Sequence, residues 1–129
     1  MMVVTNTYRS LTDHALQTIG ADHFIGSVCG DEVDHGKPAP EPYLRACRHL
    51  GLAPHDCLVV EDSTNGMRSA VAAGCRVLGV PSPGNAVPAG AADIADLRPG
   101  QGSDLHGLTI ADLQDMWGRI TVPAVDVPQ

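Results

Sequence analysis

The segment VVEDSTNG, Val59 to Gly66, decides the fold. Two β-branched apolar residues run into two adjacent acids, then into small polar residues and a glycine. Cys57 to Val60 is a continuous apolar run, the pattern of a strand covered on both faces. Behind it Met67, Ala70, Val71 and Gly74 recur at i, i+3, i+4 and i+7, which predicts a helix. The acids therefore sit where a strand turns into a helix.

The alternation continues on both sides. Upstream, Met2 to Thr5 reads as a strand, and Leu11, Ala15, Leu16 and Ile19 mark one helix face, with Ser10 as a plausible N-cap and Gly20 as its stop. A short strand falls within His23 to Cys29. The loop DEVDHGKPAP, Asp31 to Pro40, is too rich in Gly, Pro and charge to be an element interior. Pro42 suits a helix N1 position, with Tyr43, Leu44, Cys47 and Leu50 at helical spacing and Gly51 as the end. Downstream, Arg76 to Val80 is the next strand. Strand–helix alternation of this kind predicts an α/β fold with a doubly wound, Rossmann-like parallel sheet.

Beyond Pro81 the texture changes to a Pro- and Gly-rich loop over residues 81–102, with one short strand expected near Ile94. Leu108 to Trp117 reads as a last helix, and the tail from Val122 to Pro128 is expected to fray. The expected division is a core over residues 1–81 and a carboxyl-terminal part of the same domain over 82–129.

Bulk properties narrow the function classes. The chain has 129 residues, one domain's worth, and a net charge of −7 from 15 acids against 8 Lys and Arg. That field disfavours nucleic acid and anionic membrane as partners. Neither a membrane span nor a signal segment is legible, so a cytoplasmic setting is expected. Cys29, Cys47, Cys57 and Cys75 lack the close spacing of a zinc knuckle or redox dithiol and read as reduced structural thiols.

Ligands of parallel α/β sheets gather at the carboxyl ends of the strands. There the sequence places Thr5 and Asn6, then Glu61 and Asp62, with Lys37 in the loop between. Each has an ordinary reading: Thr5, Asn6 and Thr7 as a helix start, Lys37 as a solvated lysine, the acids as a helix cap. Together they make a cage of hard oxygen ligands, hydroxyl, amide and ammonium suited to Mg²⁺ and a transferring phosphoryl group.

At these residues the chain resembles a known family. TNT (Thr5 to Thr7), GKPAP (Gly36 to Pro40) and VVEDSTNG are similar to motifs II, III and IV of the haloacid dehalogenase-like superfamily, in the branch of β-phosphoglucomutase and phosphoglycolate phosphatase. The resemblance spans residues 2 to 81. It implies a Mg²⁺-dependent phosphatase or phosphomutase acting on small phosphorylated metabolites through an aspartyl phosphate. Thr5 and the Asn6 amide would bind phosphoryl oxygens, and Lys37 would neutralise their charge. Asp62 would ligate Mg²⁺ with Glu61 assisting, while Ser63 and Gly66 shape the turn.

The family's first motif, D-x-D-G-[TV], which carries the nucleophile, and its substrate-selecting cap do not occur in these residues. The chain resembles the carboxyl-terminal core of such an enzyme. It is therefore expected to be inactive alone, with an incomplete sheet whose central strand is missing between those ending at Thr5 and Asp62. A homo-oligomer or a complementing amino-terminal segment would fill that gap. The alternative is a catalytically silent α/β module binding Mg²⁺, phosphate or a protein partner. A receiver-like signalling domain would need the acids before the Thr and Lys, and the order here is the reverse.

Overall fold

A computed structural model describes residues 1–122, with five short strands and five helices that alternate as far as Gly79. β1 (Met2–Val4) leads through α1 (Arg9–Ile19) to β2 (Gly26–Val28); α2 (Glu41–Leu50) leads to β3 (Leu58–Glu61); α3 (Thr64–Ala73) leads to β4 (Arg76–Gly79). β5 (Ala92–Asp93), α4 (Ile94–Leu97) and α5 (Ile110–Arg119) follow among the described residues. The expected order holds. Gly51 and Gly74 stop α2 and α3 in the left-handed region, φ 69° and 89°.

Every strand pair is parallel, but the strands form two sheets, β1–β2 and β3–β4–β5. No ladder joins β1 to β3. The three-stranded sheet is covered on both faces. On one side Val59 and Val77 pack with Tyr43, Cys47, Met67 and Ala70 of α2 and α3; on the other Leu78 packs with Ile94, Met116 and Ile120. This two-sided cover is the doubly wound arrangement expected from sequence, split by a gap between β1 and β3.

Several local expectations fail around that gap. Val60, expected to be covered, is 45% exposed, because no element lies over it beside β1. Leu11 and Ile19 are 62% and 59% exposed, and the one buried residue of α1 is Thr12. A two-stranded sheet is too narrow to cover a whole helix face. Ser10 is not the N-cap of α1. Tyr8 occupies that position without a side-chain bond, and Asp31 instead accepts the Arg9 amide at 2.9 Å.

Smaller shifts have local causes. Pro42 stands one position later than expected, since Glu41 opens α2 and turns back to accept the amides of Asp34 and His35 at 2.9 and 2.8 Å. Ile94 begins a helix directly after β5, because Asp93 caps it by accepting the Ala95 amide. The last helix starts at Ile110, where Thr109 and Asp112 form a capping box. The expected fraying of the 122–128 tail falls, beyond Val122, outside the described residues.

Candidate phosphoryl and metal site

The carboxyl ends of β1 and β3 face one cavity of about 380 Å³, lined by Val4, Thr5, Asn6, Lys37, Val60, Glu61, Asp62, Ser63 and Asn65. All five residues singled out from sequence come together here. Their tasks differ more than sequence suggested.

Lys37 bridges the gap. Its Nζ donates to the Val4 carbonyl at 2.9 Å and to Glu61 Oε1 in a close ion pair, 5.1 Å from the Tyr43 ring centroid. The Lys37 side chain is 10% exposed, so this is no solvated surface lysine. An ammonium has three donors; two are taken, leaving one for a ligand. The loop beneath is held by Asn6, whose Oδ1 accepts the Lys37 amide at 3.0 Å and whose Nδ2 donates to the Lys37 carbonyl at 3.4 Å. The Asn6 side chain is thus a clamp on the lysine loop.

Glu61 and Asp62 part company because β3 ends at Glu61, which is 8% exposed, and Asp62 stands in the exposed turn beyond it. Glu61 turns inward on the same face as Val59. Its carboxylate accepts from Lys37, from the Tyr43 hydroxyl at 2.5 Å, and from the Ser63 amide and hydroxyl at 3.4 and 3.3 Å. Burial and the Glu61 charge push the Tyr43 phenol well above its ordinary value, which keeps it a neutral donor. A Cβ on Gly66 would stand 2.1 Å from the Glu61 carboxyl carbon, so only glycine lets this carboxylate lie under the first turn of α3. Ser63 caps that turn by accepting the Gly66 amide at 3.0 Å.

Asp62 is exposed and faces the cavity. One oxygen accepts from Ser82 at 2.7 Å, and the other takes no hydrogen bond among the described residues. Mg²⁺ keeps several waters and is held through one or two carboxylates. Asp62 fits as one such ligand; Glu61, which also lines the cavity, has its carboxylate already engaged by Lys37, Tyr43 and Ser63. Among the described residues no group of three ligating side chains is assembled. Thr5 Oγ1 lines the cavity while accepting the Thr7 amide at 3.1 Å.

Sequence reasoning missed Tyr43 and Ser82. Helical spacing marked Tyr43 only as a core residue and could not show its hydroxyl. Ser82 lies in the Pro-rich stretch after β4 and reaches Asp62 because its own amide donates to the Asp62 carbonyl at 3.0 Å.

The carboxyl ends of a parallel α/β core thus bring a lysine, a hydroxyl and an exposed acid around one cavity. The family profile described as haloacid dehalogenase-like hydrolase matches residues 1–74, and the chain belongs to that family. The protein CbbY of Rhodobacter capsulatus is 43% identical over 86 residues, 64% of this chain and 38% of that protein. Phosphoglycolate phosphatase of Chromobacterium violaceum is 34% identical over 117 residues, 90% of this chain and 48% of that enzyme. The crystal structure of a CbbY mutant from Rhodobacter sphaeroides with xylulose-(1,5)-bisphosphate superposes with a TM-score of 0.59 at 32% identity, covering 63% of this chain and 38% of that one. The chain thus spans less than half the length of these relatives. Among the described residues no helix is long and apolar enough to cross a membrane.

Proposed function

We propose that this chain carries the phosphate- and metal-binding half of a phosphatase or phosphomutase site for small phosphorylated metabolites. The observation that carries this reading is Lys37, nearly buried, tying the ends of two parallel strands that do not pair with each other. Its free donor, Thr5 and the Asn6 amide face the phosphoryl group, and Asp62 offers an oxygen to Mg²⁺. Bound there, Mg²⁺ would neutralise phosphoryl charge. Glu61, Tyr43 and Ser63 fix the direction in which Lys37 points. The relative that binds xylulose-(1,5)-bisphosphate supports a small phosphorylated ligand.

The carboxylate that would attack phosphorus is absent from this cavity, since Glu61 is engaged and Asp62 is the metal ligand. A strand inserted between β1 and β3 and ending in D-x-D-G would supply it, and transfer would then pass through an aspartyl phosphate on that strand. The four free cysteines support a cytoplasmic, reducing setting.

The test is hydrolysis of p-nitrophenyl phosphate with Mg²⁺, by the chain alone and with a peptide bearing D-x-D-G-[TV]. No turnover alone, and turnover with the peptide that Asp62→Ala abolishes, is the expected result. A peptide that binds without restoring turnover would leave the second reading, a silent Mg²⁺- or phosphate-binding module.

A further inference from the structure

Three of the four cysteines meet although 10 and 18 residues separate them along the chain. Cys57 and Cys75 each stand one residue before a strand, and the register that sets Leu58 opposite Arg76 brings the two strand starts side by side. α2 lays Cys47 over both. Its Sγ lies 3.6 Å from Cys57 Sγ and 3.8 Å from Cys75 Sγ, and Cys57 in turn donates to the Ala53 carbonyl at 3.6 Å. Among the described residues no histidine or carboxylate completes a metal site here. The Cys47 and Cys57 sulfurs are in van der Waals contact, and a disulfide would close them to about 2.05 Å.

Cys47 and Cys75 are both buried, at 4% and 0% exposed, but the cavity beside them separates the three. Cys47 and Cys57 both line the cavity of about 120 Å³ between β1, α2 and β3, whereas Cys75 does not and is 0% exposed. We propose that Cys47 and Cys57 are an oxidisable dithiol that hydrogen peroxide closes to an intramolecular disulfide, tethering α2 to the foot of β3. One thiolate takes an oxygen from peroxide, giving a sulfenic acid and, after protonation, water. The second sulfur then displaces that oxygen as another water. Two S–H bonds are lost, one S–S bond forms, and peroxide takes the two electrons. Tyr43 lies one helical turn before Cys47, so the tether anchors the helix that holds Glu61.

Burial, which dominates, pushes the thiols up, to about 11 for Cys47 and about 12 for Cys57. The closure therefore speeds up in alkali, by about 100-fold between about pH 7 and about pH 9, as the thiolate fraction rises tenfold per pH unit. The full chain is treated with hydrogen peroxide at both pH values, alkylated, and followed by intact mass and peptide mapping. The expected product is a reducible cross-link between Cys47 and Cys57, lighter by two hydrogens. Cys57→Ser lowers cross-linking of Cys47 at least tenfold, and Cys29→Ser leaves it unchanged. A dominant Cys47–Cys75 bond, an intermolecular dimer, or over-oxidation of Cys57 without a cross-link would overturn the proposal. The mapping of the unsubstituted chain decides this even where Cys57→Ser fails to fold.

Discussion

Gly66→Ala sets two physical effects against each other. Gly66 lies in the first turn of α3, where alanine is favoured over glycine by about 1 kcal/mol on helix propensity. The added Cβ would stand 2.1 Å from the Glu61 carboxyl carbon and one of its oxygens, and 2.3 Å from the other. Glu61 must therefore leave. Its departure strands the buried Lys37 ammonium and the Tyr43 hydroxyl, which both donate to it. Removing one partner of a buried ion pair costs about 3–5 kcal/mol, and propensity returns about 1, so the net loss is about 2–4 kcal/mol. At a urea slope of roughly 2 kcal/mol/M the unfolding midpoint falls by about 1–2 M. In a Glu61→Ala background the clash is gone, and Gly66→Ala should be neutral or stabilising by up to about 1 kcal/mol. A single variant as stable as the parent, or an equal loss in both backgrounds, would refute the reasoning.

Two further outcomes concern other parts of the fold. Arg76 donates to the Trp117 and Ile120 carbonyls at 3.2 and 2.7 Å, and its guanidinium lies 4.3 Å from the Trp117 ring centroid. Arg76→Ala should loosen α5 at a cost of about 2 kcal/mol, with a red shift in emission from the one tryptophan; unchanged emission would speak against this docking. Glu41 is held below its ordinary value of 4.5, first by the Asp34 amide and then by the His35 amide. A depressed folded-state value means its contribution is present above about pH 4.5 and lost as pH falls through the depressed value. Protection of the Asp34 and His35 amides, measured against their intrinsic exchange rates, should therefore fall at acid pH, and Glu41→Gln should remove that pH dependence.

Much of the architecture was legible because apolar periodicity and glycine stops are local signals. α2, β3 and α3 follow directly from Tyr43–Cys47, Val59–Val60 and Met67–Ala70. The division of labour between Glu61 and Asp62 was only partly legible: β3 ends at Glu61, whose bonds to Lys37 and Tyr43 a linear pattern does not show, while Asp62 opens the turn that follows. Reading them as a pair concealed it. Other features depend on register and on hydroxyl direction, which a linear pattern does not carry. The meeting of Cys47, Cys57 and Cys75 needs the alignment of β3 with β4, and Tyr43 matters through its oxygen more than its place in the core. Val60 and Leu11 read as buried because periodicity marks apolar faces, whether or not anything in the fold covers them.

The central claim is that the ends of β1 and β3 form half of a metal and phosphate site with Asp62 as its free carboxylate. An amide NMR titration of the chain with Mn²⁺ as a paramagnetic stand-in for Mg²⁺, with and without inorganic phosphate, tests it most directly. Broadening should centre on Asp62, Ser63 and Ser82, extend to Thr5, Asn6 and Lys37 when phosphate is added, and vanish in Asp62→Asn. Broadening centred elsewhere on this acidic chain, or unchanged in Asp62→Asn, would contradict the account.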